Sequence, residues 1–82
     1  MKLAYLDEGI KATVRKINNT GSIRRRLQDV GLIEGGEVIC LHTSPAGNPK
    51  AYGILGAVIA IRNEDAEKIE VEVFEGGAGK DG

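Results

Sequence analysis

The 82-residue sequence has no tryptophan, one cysteine, two prolines, and only two tyrosines and one phenylalanine. A lone thiol, Cys40, cannot close an internal disulfide, so packing and hydrogen bonding alone must hold the chain folded, as suits a reducing compartment. Charge of one sign is also missing: eleven Lys and Arg stand against twelve Asp and Glu, for a formal net charge of −1. That balance leaves no broad basic stripe for nucleic acid, and three aromatics leave little for stacking on bases. No apolar run approaches the roughly 18–20 residues that cross a bilayer. Met1–Gly9 is too polar for a secretory leader, so the expected location is cytoplasmic, with neither a nucleic-acid partner nor direct membrane insertion. The Asn18-Asn19-Thr20 glycosylation pattern then has no route to being used.

The ingredients of catalysis are also scarce. The only histidine, His42, lies two residues from Ser44, and neither sits in a G-x-S-x-G turn that would expose a nucleophile beside its base. The terminal "GGAGKD" imitates the end of a phosphate-binding loop. Phe74 stands where the first glycine belongs, however, and Asp81 replaces the magnesium-binding Ser or Thr. The expectation is a protein that is not an enzyme and carries no cofactor.

What is present is a small globular pattern. A chain of this size buries about 60–65% of its unfolded surface, enough for one domain of modest stability. Leu3 and Leu6 flank a turn at Asp7-Glu8-Gly9, and "KATVRKI" (Lys11–Ile17) mixes β-branched and charged residues as a half-exposed strand does. Ser22 is placed to cap a helix in which Ile23, Leu27 and Val30 share one face, and Gly31 is placed to end it in a left-handed conformation. "GGEVICLHTS" reads as a turn and a strand, and "SPAGNP" (Ser44–Pro49) as a loop. "KAYGILGAVIAIR" is apolar and β-branched, with Gly53 and Gly56 marking bulges or bends. Asn63 can cap one acidic helical turn, and "IEVEV" alternates with Ile69, Val71 and Val73 inward. About five short strands and short helices in so few residues suggest a mostly β fold, a small closed or nearly closed barrel, with a two-layer α+β sandwich as the alternative.

Two constellations carry chemistry. Cys40 and His42, two apart on a strand, would point to one side of the sheet and form a soft ligand pair, but a structural zinc needs four ligands. The plainer reading is a buried cysteine and a histidine at a strand edge. Arg24, Arg25 and Arg26 occupy the opening turns of a helix, where the partial positive charge of the free N–H groups disfavours cations. An Arg25–Asp29 pair contributes a few tenths of a kcal/mol, which is too little to explain the cluster. Either Arg24 or Arg26 bonds carbonyls or acidic residues such as Asp7, Glu8 or Glu64, or the triplet docks an acidic partner. On a helical wheel Arg24 and Arg26 flank the apolar face and Arg25 lies opposite, so Arg26 is expected to be structural and Arg25 exposed.

The order of motifs resembles the FeoA family of ferrous iron transport accessory proteins. It runs "GIKATV" (Gly9–Val14), "RRRLQDVGL" with a following "GGEV", "SPAGNP", and "GAVIAIR" before an acidic turn and "IEV", and spans Leu3 to about Val73. The resemblance implies a cytosolic SH3-like β-barrel of about five strands with an inserted helix over residues 1–75, followed by a flexible tail, 76–82. It also implies a non-enzymatic partner of a FeoB-type ferrous iron permease that contacts the permease's cytoplasmic nucleotide-binding domain. On that basis Arg24, Arg25, Arg26, Pro45, Asn48 and Pro49 become the expected partner-binding residues. Two alternatives stay open. One is a direct metal-binding or sensing module built on Cys40 and His42. The other is a regulatory barrel related to the C-terminal domain of metal-dependent repressors. A barrel of this size can also form a homodimer through an exposed sheet edge.

Overall fold

A computed structural model describes residues 1–73, so the terminal loop imitation and the expected tail lie outside the described residues. A 3₁₀ turn (Leu3–Tyr5) leads into β1 (Lys11–Ile17), α1 (Gly21–Asp29), β2 (Glu37–Thr43), β3 (Lys50–Ile54), β4 (Ala57–Ile61), the short α2 (Asn63–Ala66) and β5 (Ile69–Val73). The five strands form one antiparallel sheet in the order β4-β3-β2-β1-β5. The fold is the expected one: mostly β, five strands, with a helix inserted between β1 and β2.

The segment read as a single apolar stretch is two strands. Leu55 and Gly56, at φ +52° and +83°, form a two-residue turn that sets Ile54 opposite Ala57. Positive φ at both positions is the turn whose twist matches paired strands. Gly56 adopts it freely, and Leu55 does so against its Cβ.

Alternation sends Ala12, Val14, Val38, Cys40, Tyr52, Ile54, Ile69 and Val71 inward, where they meet Leu3, Leu6, Leu27 and Leu32. A buried Leu, Ile or Val contributes roughly 1.5–3 kcal/mol by leaving water, so this cluster is the fold's main driving force. Tyr52 is fully buried, with its hydroxyl 3.3 Å from the Leu3 carbonyl it donates to. Lys50 Nζ donates to the carbonyls of Ala4 (2.7 Å) and Leu6 (3.0 Å), which ties the 3₁₀ turn to β3.

The strands at the two ends of the order, β4 and β5, are not paired with each other. The outer side of β5 is covered instead by the chain's first residues. The Met1 ammonium donates to the Val71 carbonyl at 3.0 Å, Val71 N–H donates to the Met1 carbonyl at 2.8 Å, and Lys2 bridges Glu70. Among the described residues no helix is long and apolar enough to cross a membrane.

Candidate functional site

The arginine triplet lies on α1, whose entry differs from the sequence expectation. The helix begins at Gly21 with Thr20 as its cap residue, and no side chain caps it; Ser22 lies inside the helix. Gly21 turns the chain at φ +70°, and Arg24, a donor that cannot cap the free N–H groups, instead fastens the chain leading into the helix. Its Nη1 donates to the Ile17 carbonyl at 2.6 Å, and a longer contact of 3.4 Å reaches the Asn19 carbonyl. The guanidinium thus clamps the last residue of β1 and the connecting segment to the first turn of the helix. A charge-assisted bond of this kind is worth roughly 1.5–3 kcal/mol, several times the few tenths lost to the helix dipole.

The other end follows expectation. Gly31, at φ +98°, donates to Gln28 O (2.9 Å) and Leu32 N–H donates to Leu27 O (2.9 Å), the paired bonds of a left-handed helix stop. Leu27 and Leu32, both buried, hold that stop against the core.

The expectation that Arg26 is structural is corrected here. The clamp is Arg24, which is half-buried, and Arg26 is exposed, as is Arg25. None of the ion pairs among the described residues involves α1; they join Lys2 to Glu70, Lys11 to Glu37 and Arg15 to Glu72. Arg26 stands over a groove of about 430 Å³ between α1 and β4, floored by Ile23, Leu27, Ile59 and Ile61 and bordered by Pro49 and Arg62. Arg25 shares a second, shallower face of α1 with Arg24 and Gln28. Sequence reasoning missed Arg62, whose place beside Arg26 depends on how β4 meets the helix. Nothing in the spacing of the two residues signals it.

The Ser44–Pro49 loop is tied down more than its composition suggests. Gly47 N–H donates to Ser44 O at 2.7 Å, closing a turn around the exposed Pro45, and Asn48-Pro49 is a cis peptide. Asn48 Oδ1 accepts from Asn63 N–H (3.0 Å), and Asn63 Nδ2 donates to Gly47 O (2.9 Å). Asn63 was expected to cap α2 itself. Instead Arg62 holds the cap position, and the capping oxygen comes from Asn48 across the loop. Asn48 is therefore a structural tie, while Pro45 and Pro49 are exposed, Pro49 at the edge of the arginine groove.

Cys40 and His42 do not share a side of the sheet. The pairing of β2 with β3 shifts register between them, so Cys40 opposes Tyr52 in the core while His42 opposes Ala51 and is exposed. A bulge adds one residue and breaks the alternation that the spacing implied. Burial pushes the Cys40 thiol up from its ordinary range, with Glu8 adding to the rise and Lys50 opposing it. A thiol held protonated is a poor ligand, since metals take the thiolate. Among the described residues no group of three or more His, Cys, Asp or Glu side chains is placed to hold a metal.

Comparison with known proteins places this geometry. Residues 1–73 match the family described as the FeoA domain. The chain is 31% identical over 78 residues to an Fe(2+) transport protein A/Fe(2+) transporter FeoB fusion protein of Porphyromonas gingivalis; the match takes in 95% of the chain and 9% of that much longer protein. Among solved structures, the FeoA protein from Chlorobium tepidum aligns with all of the chain and 75% of its own length, at 34% identity and a TM-score of 0.86. The zinc complex of Stenotrophomonas maltophilia FeoA, described as a prokaryotic SH3 domain protein, aligns with 88% of the chain and 89% of its own length, at 26% identity and a TM-score of 0.76.

Proposed function

The chain belongs to the FeoA domain family, and from that premise we propose that it is a non-enzymatic adaptor of ferrous iron uptake that binds the cytoplasmic nucleotide-binding domain of a FeoB-type permease. The observation that carries this reading is the division of labour on α1. Arg24 is used up by the fold, whereas Arg25 and Arg26 are exposed and without an ion-pair partner among the described residues. Arg26 beside a groove with an apolar floor, with Arg25 on the adjoining face of the same helix, suits an acidic patch flanked by apolar residues. Arginine is among the residues most enriched at interface hot spots for this reason.

The P. gingivalis fusion protein supports the choice of partner, because a FeoA-like segment and a FeoB transporter share one chain there. Pro49, presented by a loop fastened at Asn48, borders the same groove, and the exposed Pro45 on that loop is counted with it. Charges at such a rim act mainly on the association rate and give it a salt dependence.

A titration of the isotope-labelled chain with the soluble cytoplasmic domain of the permease, followed by backbone NMR, tests the reading. Shifts centred on Ile23–Val30 and Ser44–Pro49 that fade as salt rises are expected. A folded sample that shows no shift at low salt contradicts it.

A further inference from the structure

The two outer strands of the sheet are treated differently. β5 is covered by Met1 and Lys2, whereas β4 carries nothing: outside its pairing with β3, none of the hydrogen bonds among the described residues reaches Ala57–Ile61. The strand AVIAI has no charge, no proline and no bulge. Those are the devices by which natural sheets blunt an exposed edge. In an antiparallel pair closed by a two-residue turn, hydrogen-bonded and non-bonded positions alternate from the closing pair onward. Ile54 and Ala57 close this one, so Val58 and Ala60 turn their N–H and C=O groups away from β3.

β4 is also the shared wall of two grooves. On the α1 side is the groove of Arg26 and Arg62; both are exposed, and neither forms an ion pair with Glu64 or Asp65, which line it too. On the opposite side is a second groove of about 430 Å³, walled by Ile39, Leu41, Leu55 and Val58 over Gly53. Its apolar walls are open to water, with Leu55 81% and Val58 69% exposed. An added strand would send alternate side chains into each.

We propose that β4 accepts an extended segment of the partner as a sixth strand, with acidic side chains directed to Arg26 and Arg62 and the intervening apolar ones covering Val58 and Leu55. This rests on the permease-adaptor reading and specifies the segment that reading requires: an exposed stretch of alternating acidic and apolar residues in the cytoplasmic domain. Backbone bonds to Val58 and Ala60 supply the docking geometry, and the two grooves supply selectivity.

Hydrogen exchange on the full chain, free and with the soluble cytoplasmic domain of a FeoB-type permease, tests it. The Val58 and Ala60 amides are expected to exchange freely alone and to slow at least tenfold in the complex. Ala60→Pro removes an outward N–H that the fold does not use and should weaken binding at least tenfold; Val58→Lys, a charge on the same edge, should do the same if the proline variant is poorly folded. Binding that shifts α1 but leaves Val58 and Ala60 unprotected and both variants at full affinity overturns strand addition while sparing the adaptor reading. No binding at any amide overturns both. Protection that grows with the chain's own concentration, without the partner, assigns the edge to a second copy and overturns the proposal.

Discussion

Replacing Arg24 by alanine separates the arginine that builds the fold from those that do not. The bond from Arg24 to Ile17 O, at 2.6 Å, is the one that matters; the 3.4 Å contact to Asn19 O is too long to add much. A bond from a charged donor contributes about 1.5–3 kcal/mol, and because Arg24 is only half-buried, water can partly replace it and the lower end applies, about 1.5–2 kcal/mol. In a domain of this size each kcal/mol moves the melting temperature by roughly 4–8 °C, so a drop of about 10 °C is expected. Arg25→Ala, on the exposed side of the same helix, should stay within about 0.5 kcal/mol of the parent. Arg24→Lys keeps the charge but lacks the planar fork, and should fall between the two. Thermal melts followed by circular dichroism measure all three. Equal losses for Arg24→Ala and Arg25→Ala, or none for either, would refute the clamp.

Gly31→Ala places a Cβ 2.6 Å from Leu55 Cδ1 at a φ of +98°; the backbone alone costs about 1–2 kcal/mol, which a urea titration should register as an earlier midpoint. Leu55→Asn should raise stability by about 0.5–1 kcal/mol, since Leu55 is exposed and held at φ +52°, a conformation asparagine tolerates; a loss of that size would mean that the leucine packs in solution. Burial raises both the Cys40 thiol and the Tyr52 hydroxyl. Each group's contribution is therefore complete below its unfolded pKa, about 8.5 for Cys and about 10 for Tyr, and is lost as pH rises through the higher folded value. Urea midpoints should accordingly decline above about pH 8.5, and Cys40→Ala should flatten the first part of that decline. Lys50→Met removes the donor to Ala4 O and Leu6 O and should cost about 1.5–3 kcal/mol, read by the same titration.

The strands were legible because their pattern is local. Lys11–Ile17 and the alternation of Ile69, Val71 and Val73 can be read in any short window, and Gly31 announces the end of α1 by its position alone. What escaped depends on contacts between distant segments. The bond from Asn63 N–H to Asn48 spans fifteen residues, and the Lys50 bonds reach back more than forty. The expectation that Cys40 and His42 point to one side of the sheet failed for a related reason, whereas the buried cysteine and the exposed histidine are as the plainer reading has them. A bulge is set by how β2 fits β3, so it leaves no mark on the spacing within β2. Arg24 and Arg26 both flank the apolar face of the helix on a wheel, and only the path of the chain entering α1 decides which meets a carbonyl. Leu55 is a separate case: nothing in its identity suggests a tight turn, and Gly56 was the only cue.

The central claim is that Arg25 and Arg26 present a docking surface that the fold does not need. Its most direct test is the affinity of the permease's soluble cytoplasmic domain for Arg26→Glu and Arg25→Glu chains, with Lys68→Glu, exposed and in no ion pair among the described residues, as the control and melting temperatures recorded for each. The account expects both helix variants to melt within a few degrees of the parent and to bind at least tenfold more weakly, with the control little changed. Helix variants that melt normally and bind at full strength would contradict it.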